Sequence, residues 1–232
     1  MYMPKTPTLA KLGKLHYKIS DGTDKVRAKA LKKVDKIGYE VVSHKRGVAH
    51  FRSKDEADRH NIVSVKGTDP TNKKDLMSDL HLAIGNASSD TQFKNRKKQI
   101  KKIYSSIDDK EAKILTGHSL GASVITHTLA KSKSVRNNTK SAHAFNTGMT
   151  QSFNKELQKD LSKQDKKDLK AKLVHHHVKG DPISAALTIG PQVGRVITTK
   201  QTAASPHGLD NHFHDKSLKD KPEPVAEESP AE

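Results

Sequence analysis

The stretch that most constrains this chain is Gly117-His118-Ser119-Leu120-Gly121, of the form G-x-S-x-G. A β-type run, Lys113-Ile-Leu-Thr116, stands directly before it, and an Ala- and Leu-containing run from Leu120 to Lys131 follows. That is the strand–turn–helix setting in which a serine is held on a sharp, exposed turn. Glycines at 117 and 121 suit such a turn, because side chains there would collide with the neighbouring strand and helix. The competing reading is a glycine-rich turn that merely packs a helix on a sheet, since short motifs have a real false-positive rate.

The rest of the chain carries the same rhythm. Val26, Ala30, Val34 and Ile37 are spaced as on one face of a surface helix over 24–37. Short β-rich runs follow at 39–43, 48–52 and 62–65. Phe93, Ile100, Ile103, Tyr104 and Ile107 share a helical face, with Lys94, Lys97, Lys98, Lys101 and Lys102 pointing elsewhere. Strands are expected at 112–116, 141–145 and 173–178, with one charged helix at roughly 152–170. Alternating strands and helices predict an α/β fold, a mainly parallel sheet flanked by helices, and the G-x-S-x-G turn within it makes the α/β-hydrolase type the expectation. Residues 1–23 are polar and basic, with Pro4, Pro7 and Gly22, and read as an N-terminal arm. The hydrolase-like domain is then 24–214. Residues 215–232, proline-bearing and poor in large apolar side chains, read as a disordered tail.

Composition narrows the chemistry. The chain of 232 residues has no cysteine, which excludes disulfides, thiolate metal sites and a cysteine nucleophile. Its 43 Lys and Arg against 26 Asp and Glu give a net charge of +17, a surface that attracts polyanions. Anionic membrane lipid is the first such partner to consider and nucleic acid the second; solvated lysine on helix faces explains the charge equally well. Neither a signal-peptide h-region nor a membrane span is visible, which points to a cytoplasmic protein or, for a viral source, a virion-associated one.

A serine hydroxyl needs a histidine base, and the base needs a carboxylate to hold its tautomer. In an α/β-hydrolase these follow the serine in the order Asp, then His. Asp181 lies directly after the strand at 173–178, at the sheet edge where such sites form. His207, His212 and His214 follow. Asp181 precedes Pro182 and also fits an ordinary turn. His175, His176 and His177 alternate faces of a strand. No metal-ligand spacing accompanies the histidines, so neither metal nor cofactor is expected.

Several segments together resemble the class 3 (fungal-type) lipase family. Ile62-Val-Ser-Val-Lys-Gly-Thr-Asp69 resembles that family's strand ending in an oxyanion turn, and Asp75-Leu-Met-Ser-Asp79-Leu80 its D-W-x-x-D-L segment. Thr116 to Gly121 resembles its nucleophile motif, Ala144 to Gly148 its F-N-x-G strand end, Gly180 to Ser184 its acid segment, and His207 to Phe213 its base segment. The resemblance implies Ser119 as nucleophile, Asp181 as the acid and His207 as the base. His212 is the runner-up, because the base segment here carries one residue more than the family pattern. It further implies Thr68 and the Leu120 N–H as oxyanion donors, with Asp79 buttressing the Thr68 turn. The activity implied is hydrolysis of carboxylic, lipid or phospholipid esters. The family's H-x-G-F element is replaced by Asp90-Thr-Gln-Phe-Lys94, and its apolar lid by a short, modestly apolar segment over 80–90. A basic structural or nucleic-acid-binding protein on a lipase-like scaffold is the alternative.

Overall fold

The computed structural model describes residues 3–68, 91–185 and 192–213. Asp79, the segment compared with the family's lid, and the tail from residue 215 lie outside the described residues. Among the described residues a seven-stranded sheet runs in sequence order: β1 (Tyr39–Lys45), β2 (Val48–Ser53), β3 (His60–Val65), β4 (Ala112–His118), β5 (Ser141–Phe145), β6 (Leu173–Val178) and β7 (Arg195–Thr199). The first three strands pair antiparallel; β3 to β7 pair parallel. The chain is therefore α/β, with a mainly parallel sheet flanked by helices.

Seven helices accompany the strands among the described residues: α1 (Thr6–Asp21), α2 (Asp24–Lys36), α3 (Thr91–Ser106), α4 (Leu120–Lys131), α5 (Lys133–Asn138), α6 (Gln151–Lys159) and α7 (Lys163–Lys172). Parallel crossovers are right-handed. When each moves one strand in the same direction, their helices must fall on one face. Phe93 and Ile100 of α3, Val124 and Leu129 of α4, Leu157 of α6 and Leu169 of α7 accordingly share one core. Val63, Val65 and Leu115 face that core, while Ile62, Ile114 and Phe51 face the other side, as the two-residue period of a strand requires.

That other face needs its own cover, and the N-terminus supplies it. Residues 6–21, expected as an arm, are instead the helix α1. Leu9 and Leu12 are fully buried and Ile19 is 4% exposed, packed with Ala49, Phe51, Ile62 and Ile114. The prolines and lysines suggest an arm, but the apolar stripe of Leu9, Leu12, Leu15 and Ile19 is what the fold buries. Pro7 lies in the first turn, where a missing N–H costs nothing. In α2 only Ala30 and Val34 are buried; Val26 and Ile37 remain exposed, because the helix touches the body through the middle of its stripe.

The single charged helix expected at 152–170 is two. Thr150 caps α6, and Ser162 begins α7 with a capping box to Asp165. The short β7 went unread.

Candidate active site

The carboxyl ends of the parallel strands bring the site together, as in open α/β sheets generally. β3 leads into Gly67 and Thr68, β4 into Ser119, β5 into Asn146, and β6 into the turn bearing Asp181. His207 arrives on the loop that follows β7.

Ser119 sits between β4 and α4 with φ 55° and ψ −123°, a conformation a non-glycine residue holds only when its surroundings impose it. They do so by close packing. A Cβ on Gly117 would lie 2.6 Å from the Gly121 carbonyl oxygen, and one on Gly121 would overlap the Val65 carbonyl. Both glycines therefore let α4 rest on β3 and β4. The Ser119 carbonyl accepts from Ala122 and Ser123, starting the helix, and from Gly148. Leu120 N–H lies in the first turn of α4, where backbone donors have no intrahelical acceptor.

Position 67 is pressed against the same turn. A Cβ there would fall 2.9 Å from Ser119 Cβ and 2.8 Å from the His118 carbonyl oxygen. Thr68, the next residue, is partly buried beside it. A cavity of about 450 Å³ flanks this turn; Ser20, Arg46, Lys66, Thr68, Gln92 and Arg96 are among its lining.

Of the two candidate bases, His207 is the one that meets the acid. Its Nδ1 lies 3.1 and 3.0 Å from the two carboxylate oxygens of Asp181. Asp181 is 1% exposed. Its Oδ1 also accepts from the Ile183 N–H at 3.1 Å, and its Oδ2 from the Ser184 hydroxyl at 2.5 Å. Burial works to raise this carboxyl, but the bond and charge of His207, with those two donors, outweigh it and hold the carboxyl below its ordinary value. The carboxylate thus fixes the Nδ1–H tautomer and leaves Nε2 to act as a base. Among the described residues, Ser119 Oγ and His207 Nε2 are each buried with no hydrogen-bond partner. In a triad these are the atoms that exchange the proton, and their bond often tightens only when substrate is bound.

His212 is placed elsewhere. It is fully buried in a short 3-10 turn (Leu209–His212), its ring centroid 4.9 Å from that of Phe145 and 6.0 Å from that of His176. It fills the layer beneath the site, where the sequence reading offered it as the alternative base.

The sequence singles out no role for four supporting residues, though Asn146, Ser184 and Asn211 stand in segments that carry the resemblance. Ser184 links Asp181 to His177 Nδ1, 2.6 Å away. Asn146, at φ 44°, donates to the Pro206 carbonyl. Asn211, fully buried, accepts from the N–H groups of Thr202 and Ala203 and donates to the carbonyls of Ser205, Pro206 and Gly208. It laces together the loop that carries His207. Tyr17, from α1, reaches both Gly67 and His118. Tyr17, 50 residues from Gly67, lies outside every segment that carries the resemblance.

His118, between the glycine and the serine, bonds Tyr17 through Nδ1 at 2.9 Å and the His207 carbonyl through Nε2 at 2.8 Å. Burial, aided by the neighbouring His207, pulls its pKa down to about 3. Among the described residues, no group of three His, Asp or Glu side chains is placed to hold a metal.

No family model and no curated protein matches the chain. Among solved structures it is similar to Est1E from Butyrivibrio proteoclasticus, over 78% of this chain and 93% of that one, at 11% identity and a TM-score of 0.38. A likeness this slight carries no argument, and the functional reading rests on the geometry of the site.

Proposed function

We propose that the chain is a serine hydrolase of the α/β-hydrolase kind that cleaves carboxylic esters through an acyl-serine intermediate. The observation that carries this reading is Ser119 in its strained strand–helix turn at the same sheet edge as the His207–Asp181 pair. Ser119 Oγ attacks the ester carbonyl while His207 Nε2 takes its proton. The tetrahedral oxyanion is met by the backbone donors of Leu120 and Thr68. Two such donors in a dry site contribute about 3 kcal/mol each to the transition state. The C–O bond to the alcohol then breaks, and the alcohol leaves with the proton from His207. Water, deprotonated by the same imidazole, attacks the acyl carbonyl; the bond from that carbon to Ser119 Oγ breaks, His207 returns the proton to Oγ, and the carboxylic acid leaves.

The finer reading is a class 3 lipase-like enzyme acting on lipid or phospholipid esters. The cavity beside the oxyanion turn supports an anionic substrate group, since Arg46, Lys66 and Arg96 all line it. Lys94, Lys98, Lys101 and Lys102, exposed along α3, suit an anionic lipid surface. The test compares a short neutral p-nitrophenyl ester with a phospholipid in anionic vesicles. Hydrolysis of both, lost in Ser119→Ala, is the expected result. Failure on the vesicles alone removes the lipid substrate, and failure on both removes the hydrolase.

A further inference from the structure

Lys14, Tyr17 and Asp21 stand at i, i+3 and i+7 of α1, so they share one stripe of the helix. Each reaches a different part of the site. Lys14 Nζ meets the two carboxylate oxygens of Asp210, in the turn after His207, at 2.5 and 2.6 Å. Gly13 packs beside Leu209 in that same turn. Asp21 pairs with Lys66, just before the oxyanion turn. Between them, the Tyr17 hydroxyl accepts from the Gly67 N–H at 2.7 Å and lies 2.9 Å from His118 Nδ1.

The direction of every proton in this central chain is forced. The His207 carbonyl can only accept, so His118 Nε2 carries a hydrogen and donates it. His118 is neutral, so its Nδ1 is bare and accepts. Tyr17 must then give its one hydroxyl proton to Nδ1, and its oxygen is left to accept from Gly67. The result is one continuous line from the Gly67 N–H, through Tyr17 and His118, to the backbone of the base. It links the turn proposed to bind the oxyanion with the residue proposed to move the proton.

We propose that α1 is the positioning element of the active site, holding the oxyanion turn and the base loop in register through Tyr17 and His118. This rests on the hydrolase reading for its catalytic meaning. The structural part stands apart from it: Tyr17 sets the orientation of the 66–67 peptide, and hence the aim of the next N–H, that of Thr68. α1 can serve in this way because its apolar stripe is fully packed under the sheet, with Leu9 and Leu12 at 0% exposure.

The test is Tyr17→Phe in the full chain, which removes both bonds and keeps the ring. Val34→Ala, in α2 and away from the site, serves as a control for simple loss of stability. Two readouts are needed. The amide exchange rate of Gly67, measured by NMR, should rise at least about tenfold in Tyr17→Phe, in line with the loss of one hydrogen bond, and should not change locally in Val34→Ala. On a soluble ester, kcat should fall about 10- to 100-fold, in the range of a weakened oxyanion donor. KM should move by less than about threefold, because the loss falls on the transition state. Unchanged Gly67 exchange overturns the proposal whatever the activity. Faster Gly67 exchange with kcat within about twofold of wild type leaves the hydrolase reading standing and overturns the positioning role. An inert wild type with faster Gly67 exchange in the variant fails the hydrolase reading and overturns the catalytic meaning given to α1.

Discussion

Replacing Asp181 with Asn should abolish most activity while leaving the fold in place. Asp181 is met by three donors: Ile183 N–H on Oδ1, Ser184 hydroxyl on Oδ2, and His207 Nδ1 facing both. An asparagine keeps only one of the two oxygens. The Ile183 N–H cannot turn away, so the amide oxygen must stay with it. The amide NH₂ then faces Ser184 and His207. A donor beside His207 Nδ1 favours the tautomer with the proton on Nε2, which cannot take a proton from Ser119. Such a tautomer error costs a triad about 10⁴-fold in kcat. At roughly 1.4 kcal/mol per tenfold, that is about 5.5 kcal/mol of transition-state stabilisation. The lost hydrogen bond to a charged group should lower stability by only about 1.5–3 kcal/mol. The assay is kcat on a soluble p-nitrophenyl ester, with a thermal melt to show that the variant is folded. A loss below about tenfold in the folded variant refutes the tautomer argument.

Three further perturbations follow from the same geometry. Asn211→Leu removes the five side-chain hydrogen bonds that lace the base loop at nearly constant volume; at about 1 kcal/mol per net hydrogen bond it should cost about 5 kcal/mol in urea unfolding and more than about tenfold in kcat, and retained kcat would show that the loop holds itself. Gly121→Ala places a methyl group against the Val65 carbonyl, so the melting temperature should fall by the equivalent of at least about 2 kcal/mol, and an unchanged melt would contradict the close packing of α4 on β3. Burial holds His118 down at about 3 and His175 at about 4, against 6.5 for the free side chain. The unfolded chain takes up these protons below pH 6.5 and the fold does not. The stability they confer is therefore complete above that pH and lost as pH falls from 6.5 toward 4, by up to about 3 kcal/mol for His175. The urea midpoint should drop between pH 7.5 and pH 5; equal midpoints would contradict neutral burial.

How far the sequence revealed this molecule depended on the range of the interaction. Where pattern and turn chemistry are local, the reading was close: β5 spans 141–145 as expected, α4 begins beside Ser119, and Phe93, Ile100, Ile103 and Tyr104 are the buried face of α3. The order Ser119, Asp181, His207 is proposed from the sequence because a triad imposes residue types and a sequence order, and the structure sets His207 Nδ1 against Asp181. The resemblance puts His207 ahead of His212, but residue type does not separate them: five residues along a loop decide whether an imidazole meets Asp181 or Phe145, and that is set by the folded path of the loop. α1 was misread for a related reason. Its apolar stripe was visible, but the need for it comes from the topology: same-direction crossovers leave one sheet face bare, and only the assembled sheet shows that something must cover it. Tyr17, Ser184 and Asn211 act through hydrogen bonds to backbone or to one another, which leave no periodicity in the chain.

The most direct measurement of the central claim is covalent labelling of the folded wild-type protein by a fluorophosphonate, mapped by peptide mass spectrometry. Displacement of fluoride by an activated serine leaves a stable phosphonyl adduct. One adduct per chain on the peptide containing Ser119 is the expected result, absent in Ser119→Ala and strongly slowed in His207→Ala. A folded wild-type protein that takes no label, or takes it at another residue, contradicts Ser119 as the nucleophile.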